Sequence, residues 1–171
     1  GVNAGNSITS GGNYNVVVGD EAGTAITTGD NIVAVGYGAG DALTLGSSNT
    51  AVGMDSLTNE VAGHNNTAIG KGALQAQTTA SSGLVNNTAV GRDAGLSITS
   101  GIQNTIVGSL AGDALTDADD NVAIGSEALS TDTQGSKSVA IGREALRQQN
   151  FSSATDSNNT AVGYRAGLLV T

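Results

Sequence analysis

Asn49-Thr50-Ala51-Val52-Gly53 recurs in the next repeat unit as Asn66-Thr67-Ala68-Ile69-Gly70, and a variant of it stands further on as Ser138-Val139-Ala140-Ile141-Gly142. This pentapeptide pattern ends at nine glycines, called here the anchor glycines: Gly19, Gly36, Gly53, Gly70, Gly91, Gly108, Gly125, Gly142 and Gly163. Their separations along the chain are 17, 17, 17, 21, 17, 17, 17 and 21, and the two wider intervals define the long coils. A tenth, degenerate unit begins at Gly1. The repeat fills the chain, so residues 1–171 are predicted to form a single repeat array.

The columns of the repeat predict a short strand before each anchor glycine. Positions are numbered from the anchor: −1 is always Val or Ile, −3 is always Val or Thr, and −2 is Ala in seven units. Branched residues flanking a small one are typical of a β-strand, and the glycine supplies the following turn. Two short strands and two turns in each repeat unit describe one coil. The chain is therefore predicted to be all-β, a parallel β-solenoid or β-roll of about ten coils of 17–21 residues.

Composition and charge exclude several other classes of protein. The net charge is −9, with only six basic residues, which leaves no electrostatic footprint for nucleic acid. No apolar run approaches the roughly 20 residues of a membrane span, so membrane insertion is not expected. The absence of Cys excludes disulfides and thiolate metal sites. Aromatic residues make up 2% of the chain, so its core is expected to consist largely of Ala and Val. Such a thin core suggests a segment of a longer protein that needs a partner chain.

Two further columns vary together, at positions +4 and +7. Wherever +4 is Gly, +7 is aliphatic, and wherever +4 is Leu, +7 is polar. The Leu coils are those with Leu57 and Glu60, Leu74 and Gln77, Leu129 and Asp132, and Leu146 and Gln149. A single interior pocket, filled once per coil, explains the alternation, because a void and a double occupancy are both unfavourable. On this hypothesis, the stability lost in Leu129→Gly is largely restored by adding Asp132→Leu.

The quoted pentapeptides resemble the head repeats of trimeric autotransporter adhesins, and more closely the Asn-Thr-Ala-Val-Gly-Tyr arrays of phage tail fibres and related bacterial surface fibres. The resemblance covers essentially the whole chain. It implies a homotrimer in which three chains form parallel β-rolls or wrap a common axis. It also implies an extracellular location, on a cell surface or a virion tail fibre. The implied function is adhesion to an unidentified cell-surface glycan or protein receptor. The small column at +3 is expected to face the two other chains.

Two functions from different classes stay open. The first is a structural and adhesive fibre segment; the second is an ice- or crystal-binding solenoid, because Thr recurs at position −3. An enzyme is not expected, since repetition is at odds with a unique active site, and no cofactor or metal is expected. Asp117, Asp119 and Asp120 are interpreted as solvated turn acids, with a bound cation as the alternative, and His64 as an exposed turn residue.

Candidate surface contacts follow the anchors or lie in the long coils. They are Tyr37, Lys71, Arg92, Arg143, Tyr164 and Phe151, of which Phe151 either meets a ligand or packs against a neighbouring chain. The extra residues of the long coils, within 75–85 and 147–157, are expected to bulge outward. The Asn column is interpreted as a structural ladder, with anion or water binding as the alternative: Asn15, Asn49, Asn66, Asn87, Asn104, Asn121 and Asn159.

Overall fold

Residues 1–79 and 82–170 are described by a computed structural model, in which the chain winds as an all-β parallel solenoid of about nine coils. Its strands are β1 Val16–Val18, β2 Val33–Val35, β3 Thr50–Val52, β4 Gly63–His64, β5 Thr67–Ile69, β6 Gly83–Leu84, β7 Thr88–Val90, β8 Thr105–Val107, β9 Val122–Ile124, β10 Gly135–Ser136, β11 Val139–Ile141, β12 Thr155–Asp156 and β13 Thr160–Val162. Nine of them form one sheet in the order β1-β2-β3-β5-β7-β8-β9-β11-β13. The pairs β4-β6 and β10-β12 form two small sheets.

Every pairing in the large sheet is parallel and joins equivalent positions of the repeat. Val35 pairs with Val52, and Val52 with Ile69. The register is kept across the first long coil, where Ala68 pairs with Ala89. Each column of the repeat therefore becomes a line of like residues along the rod. At about 4.8 Å per strand, nine strands extend over roughly 40 Å.

Within the described residues, most coils lack the expected second strand. After each anchor the chain forms tight turns instead, and position +2 adopts the left-handed conformation, as at Glu127 with φ of +57°. Among those residues a second strand forms where a long coil pairs with the coil before it, as in β4-β6 and β10-β12. The Gly1 unit, over residues 1–15, has no strand, although its turn stacks on the next coil through the Gly5 N–H bond to the Ala22 carbonyl at 3.0 Å.

The anchor column needs glycine for two reasons, shown at Gly108. Its φ is +138°, in a region that L side chains rarely adopt. A Cβ at this position would also lie 2.5 Å from the Gly125 carbonyl oxygen, so a side chain would push the neighbouring coils apart. The same close approach recurs from coil to coil, as at Gly36 and Gly53.

The small column at +3 lies inside its own coil, and the expectation that it faces other chains is wrong. Ala39, Ala111 and Ala128 have no solvent exposure. The turn after the anchor is tight enough for the Ala128 N–H to bond to the Gly125 carbonyl at 3.2 Å. The alanines at +3 belong to the buried core, and only Ala or Ser occurs in this column.

Positions +4 and +7 share one space, as the covariation predicts. A Cβ on Gly112 would lie 2.9 Å from Cδ1 of Leu115, which occupies the pocket from position +7. In the next coil Leu129 fills it from +4 and is fully buried. Leu129 does so at φ of +55°, a conformation that costs on the order of 1–3 kcal/mol for a non-glycine residue. Burial of the whole side chain offsets this cost.

The polar residues at +7 are fully buried as well, which covariation alone does not reveal. Asp132 Oδ2 accepts a hydrogen bond from Nε2 of Gln149, in the next coil, at 2.5 Å. Asp132 Oδ1 accepts the N–H groups of Gly135 and Phe151, both at 3.0 Å. Glu60 and Gln77 form the same pair at 2.7 Å. Leu coils therefore occur as adjacent pairs, because a buried carboxyl group in one coil requires an amide donor in the next.

This buried pair changes the expected outcome of exchanging the two columns. Leu129→Gly should lose about 2–4 kcal/mol, the usual cost of a large-to-small core change. Adding Asp132→Leu should not restore it, because Gln149 Nε2 loses one of its two acceptors and two backbone N–H groups lose theirs. Adding also Leu146→Gly and Gln149→Leu converts both coils to the type of Gly112 and Leu115, and should be more stable than the double variant.

Melting temperatures measured by circular dichroism give the relative stabilities of the single, double and quadruple variants. Recovery of most stability in the double variant, with no further gain in the quadruple variant, would show that pocket filling alone determines the pattern.

Candidate functional surfaces

The asparagine column is an internal ladder, which confirms its structural interpretation. In Asn104, Nδ2 donates to the Ala118 carbonyl at 2.7 Å and Oδ1 accepts the N–H of Asn121 at 3.0 Å. Asn87 and Asn121 repeat this pattern, donating to the carbonyls of residues 101 and 135. The column members Asn49, Asn66, Asn87, Asn104 and Asn121 are fully buried. These side chains face the core, so they do not offer a surface for an anion.

Position +1 forms a line of exposed side chains along one edge of the rod. The line is built by backbone bonds in which the +2 N–H of one coil donates to the +1 carbonyl of the coil before, as from Asp93 to Lys71 at 2.8 Å. Five of the six candidate contacts lie on this line: Tyr37, Lys71, Arg92, Arg143 and Tyr164. Arg143 and Tyr164 are on adjacent coils, as are Lys71 and Arg92.

The first part of this edge is acidic. Tyr37 is 51% exposed, and the negative charge of Glu21 is the main cause that raises the pKa of its hydroxyl, followed by burial, a hydrogen bond to Glu21 and the charges of Asp55 and Asp20. Arg92 is held by its neighbour Asp93 at 2.6 Å. An anion approaching Tyr37 therefore meets repulsion.

The last part of the edge carries a cluster of arginines around one carboxylate. Glu144 has a side chain only 3% exposed and faces Nε of Arg165 at 2.7 Å and Nη2 of Arg143 at 2.9 Å. Arg147 lies 3.1 Å from Glu127 and 3.9 Å from Glu144. The hydrogen bond from Arg165 is the main reason that the pKa of Glu144 is lowered, with the charges of the three arginines adding to it. Glu144 stays ionised and fixes the guanidinium groups around it.

Phe151 lies elsewhere, on the outer wall of the second long coil. Its ring is half-buried against the coil before it, with Cδ2 only 2.8 Å from where a Cβ on Gly135 would be. The residues that follow, 152–154, are exposed, as expected for an outward bulge. In the first long coil Thr78, Ser82 and Leu84 are exposed. Residues 80 and 81 of that loop lie outside the described residues.

His64 is not the exposed turn residue that was expected. It lies in β4, is half-buried, and both ring nitrogens are bonded: Nδ1 accepts the Ser47 N–H at 2.8 Å, and Nε2 lies 2.6 Å from the Ser82 hydroxyl. His64 occupies position +11 of the repeat, where a polar side chain accepts a hydrogen bond from a backbone N–H group of the preceding coil. Asp30 and Asp119 do the same, the latter from Ile102 at 2.8 Å.

The acidic turn of residues 117–120 is likewise used within the chain. Asp117 accepts hydrogen bonds from the hydroxyls of Thr99 and Ser100, both at 3.1 Å, and Asp119 serves the column described above. Across residues 1–79 and 82–170, no three His, Asp or Glu side chains are grouped so that they could hold a metal ion.

The outer face of the nine-stranded sheet carries an unbroken line of aliphatic side chains. Because Ala at −2 points inward, positions −1 and −3 point outward. Position −1 is Val or Ile in all nine strands, and position −3 is Val in four of them and Thr in five. Ile69 in the middle of the sheet is 39% exposed, and Val18 and Val162 at its ends are 54% and 67% exposed. The result is a continuous aliphatic line at −1 beside a mixed line of Val and Thr at −3, and the two lines together are called here the sheet face.

No family model matches the chain, and no curated protein or solved structure shows significant similarity to it. Within the part of the chain that the structure describes, no helix has the length and apolarity needed to span a bilayer.

Two groups of interacting side chains cannot be recognised from single residues of the sequence. The buried pairs of Glu60 with Gln77 and Asp132 with Gln149 were seen only as polar replacements for an aliphatic residue. The arginine cluster was seen only as Arg143, because Glu144 and Arg165 are separated in sequence by a whole long coil. Alignment of the columns would have shown the second group, since Glu144 and Arg165 both occupy position +2 on adjacent coils.

A pH dependence follows from Asp113, at position +5 beside the acidic edge. Burial is the main cause that raises its pKa, the charges of Glu127 and Asp93 add to it, and a backbone hydrogen bond and Arg92 oppose it. The folded state thus prefers the protonated carboxyl group, so ionised Asp113 destabilises the fold at neutral pH. This destabilisation disappears as the pH falls through the raised pKa towards the ordinary value of 3.8.

Asp113→Asn should therefore raise the melting temperature at pH 7, and the gain should vanish at about pH 3, below the ordinary pKa of aspartate. Ser130→Asn, at the same position one coil further on, is the matched control and should show no such pH dependence. An equal effect of Asp113→Asn at both pH values would contradict the assignment.

Proposed function

We propose that the chain is a structural and adhesive segment of an extracellular trimeric fibre, on a cell surface or a virion tail, and that it attaches to a glycan or protein receptor. The observation that carries the proposal is the sheet face. A monomeric soluble protein rarely exposes a contiguous apolar surface of this length, and such surfaces usually mark interaction sites.

Two further copies of the chain are the partners that fit the sheet face best. A partner has to present an apolar surface roughly 40 Å long, with side chains spaced at the pitch of the strands, about 4.8 Å. Another copy carries that surface with the same spacing. Three copies around one axis bury three identical faces and form a closed assembly. On this proposal, Val and Ile at position −1, with Val and Thr at −3, take the role that the +3 column was expected to play.

The arrangement of the remaining surface agrees with an adhesive role. With the sheet face turned to the trimer axis, the line of +1 side chains remains accessible along each rod. Its exposed tyrosines and arginines are residue types that contribute strongly to binding interfaces. Three chains in one fibre present each of these contacts three times, which favours attachment through avidity.

A second candidate function, ice or crystal binding, is favoured by the same face. Thr50, Thr67, Thr88 and Thr105 stand on consecutive coils and point outward beside Val or Ile. The two functions exclude each other, because a face buried around a trimer axis cannot meet ice. Val takes the place of Thr in four of the nine strands, at Val16, Val33, Val122 and Val139, which favours the fibre.

The trimer is tested by mass in solution. Light scattering at micromolar concentration should give about three times the chain mass of 16.6 kDa. Val107→Glu places a charge in the middle of the sheet face and should give monomers with an unchanged circular dichroism spectrum. Gln148→Glu, an exposed position in the second long coil, is the control and should remain trimeric. A folded wild-type monomer would overturn the proposal.

Thermal hysteresis separates the second candidate. The wild-type chain, as a trimer, should show no hysteresis beyond that of a control protein at equal mass concentration. Clear hysteresis from a monomeric wild type, lost in Thr88→Glu, would favour ice binding instead.

A further inference from the structure

The arginine cluster gives the last part of the edge a local excess of positive charge. Three arginines, Arg143, Arg147 and Arg165, face two carboxylates, Glu127 and Glu144, on a chain whose net charge is −9. The carboxylate of Glu144 is almost fully covered, whereas the arginine side chains are 59%, 42% and 49% exposed. The charge of Glu144 thus lies beneath the guanidinium groups, and Glu127, 27% exposed, lies beside Arg147.

The guanidinium groups keep donors for a ligand. Arg165 donates to Glu144 through Nε, and Arg143 contacts it through Nη2. A guanidinium carries five N–H donors, so both half-exposed side chains keep donors besides those that contact Glu144. Their positions are fixed by Glu144, which reduces the entropy lost when they bind a second anion. Arginines held in this way suit the two-oxygen geometry of a carboxylate.

Tyr164 adds an apolar platform beside these donors. Its ring is 62% exposed, and the guanidinium carbon of Arg165 lies 5.0 Å from the ring centre. Tyr37 occupies the same position inside the rod, between other coils, and is still 51% exposed, so stacked coils do not cover a ring at +1. An aromatic ring with a polar hydroxyl group packs against the C–H face of a sugar ring while its edge stays hydrated.

We propose that Tyr164, Arg143 and Arg165 form a binding site for a carboxylated saccharide. The sugar ring packs on the face of Tyr164 that Arg165 leaves free, and the sugar carboxylate accepts hydrogen bonds from the remaining N–H groups of Arg143 and Arg165. This inference rests on the proposed adhesive function, for which it names the class of receptor. Tyr37 has the ring without the arginines and lies among Asp20, Glu21 and Asp55, so it does not form an equivalent site.

The test is binding to immobilised oligosaccharides that end in glucuronate, galacturonate or sialic acid, each compared with its carboxyl-reduced neutral form. The wild-type protein should bind at least one acidic member and not its neutral form, with an affinity that falls as salt is raised. Tyr164→Ala and Arg143→Gln should each weaken binding by about tenfold or more. Tyr37→Ala and Arg92→Gln are the matched controls on the same line and should leave binding unchanged.

Light scattering and circular dichroism on the same samples separate this inference from the proposed function. Loss of binding in Tyr164→Ala with unchanged mass and spectrum supports the site. Equal binding of acidic and neutral forms, no binding to any member by a trimeric wild type, or full binding by Tyr164→Ala overturns it while the trimer stands. A monomeric wild type overturns the trimer, whatever it binds.

Discussion

Close in-register stacking of backbone on backbone is the constraint on which the rest of the structure depends. At Gly108 the neighbouring coil comes so near that a Cβ would lie 2.5 Å from the Gly125 carbonyl oxygen. That approach aligns every column, so that strands, turns and side-chain ladders repeat along the rod. It also forces residues such as Leu129 and Glu127 into left-handed backbone, with φ of +55° and +57°. The sum of coil-to-coil hydrogen bonds and buried side chains offsets this strain.

Stacking also decides how polar groups are tolerated inside a thin core. Asn104 satisfies backbone groups of its own coil and of the next, and so takes part in the ladder instead of interrupting it. Asp132 is compatible with full burial only because Gln149 follows one coil later and two backbone N–H groups point at it. Both devices work between coils, so no coil of this kind is complete by itself.

The solenoid, its parallel register and the shared pocket at +4 and +7 could be predicted from the sequence, because each follows from the repeat and from residue size. The inward direction of the +3 column could not, since it depends on how tightly the turn after Gly125 closes. The burial of Asp132 depends on a partner in another coil, and a polar residue in the sequence does not by itself reveal such a partner. The exposure of Arg143 and Tyr164 could be predicted from their position after an anchor glycine, whereas the role of Glu144 could not, because it comes from neighbours on two coils.

The pairing of Glu60 with Gln77, and of Asp132 with Gln149, has a consequence for how such rods change length during evolution. Removing one Leu coil would leave a buried carboxyl group or a buried amide without its partner. Removing both together, or a coil of the type that contains Gly112 and Leu115, would separate neither of these pairs. Whether duplication or deletion of a gene segment is tolerated therefore depends on which coils the segment encodes. A block of two Gly-type coils followed by two Leu coils is a step that preserves every pairing, and two successive copies of that block are visible in this chain.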